Sequence, residues 1–375
     1  MNRREFLTLS AGAVIGLAVP ATPVFARSRK EDRYSVVILG DTHYDAATPD
    51  IYHTGYFLEN KKREEVHRKE FARNGDMWNS RCRDLVKRAA CLVDDDTRFV
   101  LQMGDLIQGD TADAATHRRF LADAMDLFKQ DLAPDLPFVT VVGNHDVRGK
   151  EDAVAAAAYK EYMPARMSEE LGKEITGTNF SFNVGPDAYV VIDFTKPDVS
   201  AIENMLAEAG DARHVFVVVH SPVFPFDSSK YFWWYLLGSR NDSFRKDRLY
   251  VRKLLAGRSA IVLCGHVHRT ELLDWYGDGG RITQMTMSSV WSRESEGSYE
   301  ELSSGKSGYG SLHFPDSPRK TDVSAAVMEE YREGIRRYSM AESAGSYKLI
   351  VGDRDVHVDY YAGSSSRRSH RFRLR

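Results

Sequence analysis

The sequence predicts an α/β protein, and three observations predict it. Short β-rich apolar runs recur along the chain, helical patterns fill the intervals between them, and each run ends abruptly in Gly, Asp, Asn or His. The runs are "SVVILGDTH" (35–43), "RFVLQMGD" (98–105), "FVTVVGNHD" (138–146), "VFVVVHSP" (215–222) and "SAIVLCGHVH" (259–268). Continuous apolar runs of about four to six residues suit strands buried on both faces. One helix is marked by Met77, Arg81, Cys82, Leu85, Val86, Ala89 and Val93, of which only Arg81 departs from the apolar pattern. Phe120, Ala124, Leu127 and Phe128 mark a second, and Ile202, Met205, Leu206 and Ala209 a third. Strands alternating with helices mean βαβ units. In open α/β sheets ligands bind beyond the carboxyl ends of the strands. Five distant segments are therefore expected to converge on one crevice, with the glycine before each polar residue letting the backbone turn sharply.

Three further segments read as antiparallel hairpins: 179–194, 269–287 and 346–361. An amphipathic helix carrying Val323, Val327, Tyr331, Ile335 and Tyr338 precedes the last. The stretches 44–75, 223–246 and 288–320 read as loops over the crevice, with the charged part, 51–75, a solvated helix or loop. The C-terminal "RRSHRFRLR" follows "GSSS" and reads as a disordered basic tail over 364–375.

The chain has 375 residues, 42% hydrophobic and 28% charged, enough for a full core. A formal charge of −3 gives no hint of nucleic acid as a partner. Residues 1–26 read as an export signal: a basic start "MNRREF", a short apolar run, then Val24 and Ala26 where a signal peptidase wants small residues. The apolar run is too short to span a bilayer. Arg3 and Arg4, followed by Phe6 and Leu7, resemble a twin-arginine signal. The expectation is export to the periplasm by the twin-arginine machinery, with no stable membrane anchor after cleavage. A catalytic domain then spans 27–318, and a helix and β-hairpin packed on it span 319–363. Cys82 and Cys91 lie nine residues apart on one predicted helix, roughly 13 Å, which excludes a disulfide between them.

The polar residues at the strand ends are Asp41, His43, Asp105, Asn144, His145, Asp146, His220, His266 and His268, and they include five of the twelve histidines. A lone Asp at a strand end is usually a cap, and a lone His a satisfied packing residue. Packing alone gives no reason for five strands to end together in metal-binding side chains. Imidazole with carboxylate suits Zn, Mn, Fe or Co. His266 and His268 would point to opposite sides of an ideal strand. Because the chain turns past Gly265, they could serve adjacent ions instead.

Taken in order, "GDTH", "GD", "GNHD", a separate His and "GHVH" resemble the calcineurin-like metallophosphoesterases over most of residues 35–290. The resemblance implies two packed mixed β-sheets flanked by helices, a four-layer αββα sandwich. It also implies two divalent ions (Mn, Zn, Fe or Co). One would be held by Asp41, His43, Asp105 and His268, the other by Asp105, Asn144, His220 and His266, with Asp105 as the bridge. His145 would carry no metal and would stabilise the transition state or protonate the leaving oxygen. Asp146 either orients His145 or caps the turn that follows. The reaction implied is hydrolysis of a phosphate ester by metal-activated hydroxide.

Departures narrow the class. Gln108 stands where purple acid phosphatases have an iron-binding tyrosine. Gln108 and Gly109 replace the Asp-Arg pair of protein serine/threonine phosphatases. Too little chain follows "GHVH" for the C-terminal domain of periplasmic 5′-nucleotidases. The favoured reading is a phosphomonoesterase acting on a small organic phosphate. The alternatives are a phosphodiesterase for cyclic nucleotides, glycerophosphodiesters or nucleic acid, and a metal-binding scaffold without catalysis. The segment 221–248, crowded with aromatics and carrying Lys230, Arg240, Arg245 and Lys246, is either a substrate lid or a loop packing its aromatics onto the core.

Overall fold

A computed structural model describes residues 33–45, 61–226, 234–290, 299–300, 305–313, 321–341, 343–363 and 365–375. Residues 1–26, read above as an export signal, lie outside the described residues. In chain order the elements begin β1 (Tyr34–Leu39), α1 (Lys61–Met77), a π-helical turn (Trp78–Cys82), α2 (Arg83–Ala89), β2 (Thr97–Gln102), α3 (Ala114–Leu132), β3 (Phe138–Thr140) and α4 (Asp152–Leu171). There follow β4 (Phe180–Val184), β5 (Asp187–Ile192), α5 (Val199–Glu208), β6 (Val215–Val219), α6 (Arg245–Gly257), β7 (Ile261–Cys264), β8 (Thr270–Gly277) and β9 (Gly280–Thr286). The last are β10 (Tyr299–Glu300), α7 (Gly305–His313), α8 (Asp322–Arg332), β11 (Ile335–Ala341), β12 (Gly345–Val351), β13 (Val356–Ala362) and β14 (His370–Arg373).

Two mixed sheets result. The first has six strands in the order β14-β13-β12-β1-β2-β3; the second has eight, β10-β11-β8-β9-β7-β6-β5-β4. β1, β2 and β3 run parallel, as do β5, β6, β7 and β9, so the functional loops leave the carboxyl ends of parallel strands. The five central runs are buried on both faces, as their unbroken apolar character requires. One apolar cluster fills the space between the sheets and reaches the helices over the first sheet, through Val86, Phe120 and Met163. A second lies between the outer face of the second sheet and α5, α6 and α8, through Ile202, Leu255 and Tyr331. These are the four layers of an αββα sandwich. Rings knit the inner layer: Tyr189 lies 5.2 Å from Phe99 across the sheets and 4.7 Å from Phe216 along its own. The hydroxyls of Tyr34 and Tyr189 meet at 3.0 Å.

Several expectations need correction. Residues 370–373 are no free tail: β14 pairs with β13, and Phe372 and Leu374 are fully buried. Apolar residues at alternate positions in "HRFRLR" outweigh the basic composition, and Asp359 receives the Arg371 guanidinium at 2.6 and 2.8 Å. The helix expected to carry Ile335 and Tyr338 stops at Arg332; both residues lie in β11, paired with β8. Gly334 stands at this break, where a side chain would strike the Trp275 ring. The stretches 44–75 and 288–320 are not loops throughout, since they contain α1 and α7. The C-terminal strands join both sheets: β11 extends the second while β12 and β13 extend the first. Cys82 and Cys264 are buried and free; burial pushes the Cys82 thiol up to about 12. No helix among the described residues is long and apolar enough to cross a membrane.

Candidate metal centre

The loops after β1 and β2 are hydrogen-bonded to each other, which sets the first half of the site. The amides of Thr42 and His43 donate to the Asp105 carbonyl at 3.1 and 2.8 Å, and Tyr44 N–H donates to the Leu106 carbonyl at 2.9 Å. Gln102, a polar residue inside the apolar run of β2, is buried beneath them. Its amide nitrogen donates to the carbonyls of Gly104 (2.7 Å) and Gly40 (3.3 Å), and its oxygen accepts from Gly104 N–H (3.0 Å) and the Thr140 hydroxyl (2.5 Å). One side chain thus ties together the ends of β1, β2 and β3.

The glycines were expected to supply the turn; Gly104 does so with φ of 86°, and elsewhere the functional residues bend instead. His43, Asp105, His266 and His268 all have positive φ, at 44°, 50°, 71° and 57°. Non-glycine residues in this region are strained, and such strain concentrates at functional sites. Gly143 and Gly265 serve close approach: an added Cβ would lie 2.0 Å from the Asp105 amide nitrogen and 2.2 Å from Asp41 Oδ1.

The side chains converge. Asp41 accepts from the His266 amide at 3.1 and 3.0 Å, and its Oδ2 lies 3.1 Å from His268 Nε2. His268 Nε2 also lies 3.2 Å from His43 Nε2. Asp105 Oδ2 lies 3.3 Å from His220 Nε2 and 3.8 Å from His43 Nε2. His220 Nε2 in turn lies 3.3 Å from Asn144 Oδ1 and 3.1 Å from His266 Nδ1. Three groups have donor atoms mutually within 4.8 Å: Asp41, His43 and His268; Asp105, His220 and His266; and His43, Asp105 and His145. His266 and His268 therefore face different groups. Asp41, His43, Asp105 and His220 are buried, while Asn144, His145, His266 and His268 open toward solvent.

Protonation follows from this crowding. Burial, then the neighbouring imidazoles, hold His43 and His266 well below the usual histidine range. Burial also lowers His220, but Asp105 and Asp41 outweigh it and lift the group to about 9. Burial raises Asp105, yet the surrounding histidines hold it well below the carboxylate range. His220 Nδ1 lies 2.7 Å from the Met103 carbonyl. A carbonyl only accepts, so Nδ1 carries the proton there and Nε2 faces the cluster. A second ring nitrogen anchored this way is the usual partner of a metal-binding histidine. Imidazole nitrogens, carboxylate oxygens and one amide oxygen turned toward each other fit divalent transition-metal ions.

His145 sits beside this cluster. Its Nδ1 is 2.8 Å from the Gln108 carbonyl, and Nε2 receives Arg148 Nη1 at 3.3 Å. Burial lowers its pKa. Asp146 does not orient His145. Its carboxylate accepts the amides of Ile107 (3.0 Å) and Gly143 (2.8 Å), so it braces two loops, and burial lifts it to about 7. The Gln108 carbonyl performs the orienting role.

A cavity of about 650 Å³ opens beside Asn144 and His266. Residues 227–233 of the aromatic segment lie outside the described residues. Of the rest, Tyr235, Leu236 and Leu237 pack into the core, while Trp234 and Phe244 border the cavity. Arg245 is held by Glu330, and neighbouring Arg248 by Asp242 and Glu330. The cations near the crevice are ones sequence reasoning passed over: Arg148, paired with Asp110, and Lys196. Arg148 stands two residues beyond "GNHD", and that proximity was the available signal. Gln102 was also missed, although a polar residue in a doubly buried strand marks a buried hydrogen-bond hub.

Parallel strands from two sheets, ending in one histidine–aspartate cluster with strained backbone, define a metal-dependent hydrolase. The chain belongs to the calcineurin-like phosphoesterases, whose family profile matches residues 34–270. It is a metal-dependent phosphoester hydrolase of that family. Among solved structures it is similar to PhoD, at 13% identity, a TM-score of 0.54, and coverage of 90% of this chain and 68% of that one. That likeness concerns the fold. A weaker one, at 14% identity and a TM-score of 0.46, is to GAP50, the anchor in the inner membrane complex of Plasmodium, covering 92% of this chain and 89% of that one. No curated protein matches the chain.

Proposed function

We propose that the protein is a dinuclear phosphomonoesterase acting on a small organic phosphate, exported to the periplasm behind the twin-arginine signal at residues 1–26. The observation that carries the dinuclear reading is the position of Asp105. Its carboxylate belongs both to the group with His220 and His266 and to the group with His43, which also closes on Asp41 and His268. Ions held by Asp41, His43, Asp105 and His268, and by Asp105, Asn144, His220 and His266, would supply Lewis acidity at the phosphoryl group and lower the pKa of water.

The chain's own residues handle the rest. Asn144 contributes a neutral oxygen, which leaves the site more positive for phosphate than a third carboxylate would. Arg148, fixed by Asp110, offers N–H donors to phosphoryl oxygens at the edge of the cluster. His145, with its Nδ1 proton on the Gln108 carbonyl, presents a neutral Nε2. From there it would stabilise the transition state or, once it has taken up a proton, donate it to the leaving oxygen.

The test is hydrolysis of p-nitrophenyl phosphate against bis-p-nitrophenyl phosphate by protein loaded with Mn²⁺, alongside metal analysis. Two metals per chain and monoester preference are expected. One metal per chain overturns the dinuclear reading, and diester preference overturns the monoesterase reading. A mature mass beginning at Arg27 is the expected mark of export; an intact N-terminus in the exported fraction overturns cleavage there.

A further inference from the structure

We infer that the organic group of the substrate is aromatic, and that Phe194, Trp234 and Phe244 receive it beside the metal centre. The inference rests on the phosphoesterase reading and adds a substrate class to it. The cavity of about 650 Å³ is far larger than a phosphoryl group needs, and lies within the range of sites that enclose drug-sized ligands. It is continuous with the centre, because Asn144 and His266 form part of its wall.

Its aromatic wall begins at the ligand histidines. The Trp234 ring centroid lies 5.3 Å from that of His266, and the Phe194 ring lies 5.9 Å from His266 and 5.4 Å from His220. A phosphate seated on the cluster would carry its ester group against these rings. Leu237 and Phe244 continue the apolar surface outward, and Lys196 supplies a cation at the rim. Trp234 and Phe244 are 39% and 49% exposed, and they are two of only six large hydrophobic residues so exposed among the described residues. Their shared position on one cavity separates them from scattered surface apolar residues. Against the rings of this wall the hydroxyls of a glycerol or sugar phosphate would find few partners, although Thr195, Lys196 and Asp247 line other parts of the cavity, whereas an aromatic ring would stack on it.

The wall is preformed. Asp193 accepts from the amides of Thr195 (2.9 Å) and Lys196 (3.1 Å) and from the hydroxyls of Thr195 (2.6 Å) and Thr178 (2.7 Å), which locks the turn carrying Phe194. On the other side the Trp234 carbonyl accepts from the Ser221 hydroxyl (2.6 Å), and Leu236 N–H donates to the Pro222 carbonyl (2.8 Å). A fixed surface loses little entropy when a rigid ring settles on it.

The experiment is calorimetric titration of the metal-loaded full-length protein with benzylphosphonate and methylphosphonate, whose C–P bonds resist hydrolysis. Benzylphosphonate is expected to bind about 10-fold tighter or more. Trp234→Ala and Phe244→Ala should each collapse that ratio, and the kcat/KM ratio of phenyl phosphate to glycerol phosphate should fall in parallel. Tyr276→Ala, an exposed ring at the far end of β8, should leave the ratio as it is. Because the two cavity rings are part-exposed at separate positions, either variant suffices if the other fails to fold. Equal affinity for the two phosphonates, or a ratio retained in both cavity variants, overturns the inference. Aromatic preference in binding with no hydrolysis of any ester would instead overturn the phosphoesterase reading and leave the pocket assignment standing.

Discussion

The six-stranded sheet brings Asp41, His43, Asp105, Asn144 and His145 to the crevice from the ends of β1, β2 and β3, whereas the eight-stranded sheet brings His220, His266 and His268 from β6 and β7. Both carboxylates come from one sheet, and the other supplies only imidazoles. The close contacts between opposite types cross the seam: Asp41 to His268 at 3.1 Å and Asp105 to His220 at 3.3 Å. The group of His43, Asp105 and His145 lies wholly on the first sheet, but neither of the two proposed donor sets is complete without both sheets. The centre therefore exists only when the layer between the sheets is packed, and its geometry inherits the rigidity of that core.

Asp105→Asn should break the comparison most deeply. On the dinuclear proposal the bridge would lose its charge, and imidazoles from both sheets lose their shared carboxylate partner. Metal content should fall at both positions, with a loss of activity on the order of 100-fold or more. His268→Ala removes an imidazole from one group only and should deplete mainly one ion. Elemental analysis of the purified variants separates these outcomes. Retention of two metals per chain in Asp105→Asn would sink the bridging role.

The two halves were unequally legible in sequence. The crevice residues could be read because each follows an apolar run long enough to be a doubly buried strand, so chain order alone placed them at one sheet end. Pairing between the loops was hidden, because backbone contacts such as His43 N–H to the Asp105 carbonyl leave no mark on composition. Asp146 was misread for the same reason: its partners are the backbone amides of Ile107 and Gly143, residues of no chemical distinction. At the C-terminus five arginines obscured the alternation of Phe372 and Leu374. Ile335 and Tyr338 fit a helical period with Val327 and Tyr331, and only the long-range pairing of Ile335–Ala341 with β8, which sequence spacing does not reveal, takes them out of the helix.

Tyr347 sharpens the claim that the seam sustains the site. It lies on β12 of the first sheet, and its hydroxyl meets Thr270 Oγ1 of the second at 2.6 Å and the Ser288 amide at 2.7 Å. The Ser288 hydroxyl in turn holds the His268 carbonyl at 3.1 Å, and Ser289 holds the Asp41 carbonyl at 2.8 Å. Tyr347→Phe should leave a buried amide without its partner, at about 1–3 kcal/mol. Thermal unfolding should shift down by a few degrees, and metal affinity should weaken modestly and less than in Asp105→Asn. An unchanged melting temperature would show that the sheets hold register without this contact.

The smallest effect is expected at the opposite edge of the first sheet, where no metal donor lies. Burial alone would raise the Asp359 carboxyl, but Arg371 and Arg368 outweigh it and hold the group below the usual carboxylate range. A depressed folded pKa means stability that is present above the unfolded value near 3.9 and lost as pH falls through the folded value, so the window lies below about pH 4. The arginines are part-exposed, which limits the pair to about 1 kcal/mol or less. Asp359→Asn at neutral pH, where the crevice groups keep their protonation, should therefore loosen β14 without reaching the crevice. Amide hydrogen exchange reads the difference: the Leu374 N–H, bonded to the Val356 carbonyl at 2.8 Å, should exchange several-fold faster, while the Met103 N–H, bonded to Leu39 beside the centre, keeps its rate. If both amides accelerated together, the edge and the site would be one cooperative unit, and the division between a scaffold edge and a catalytic seam would not hold.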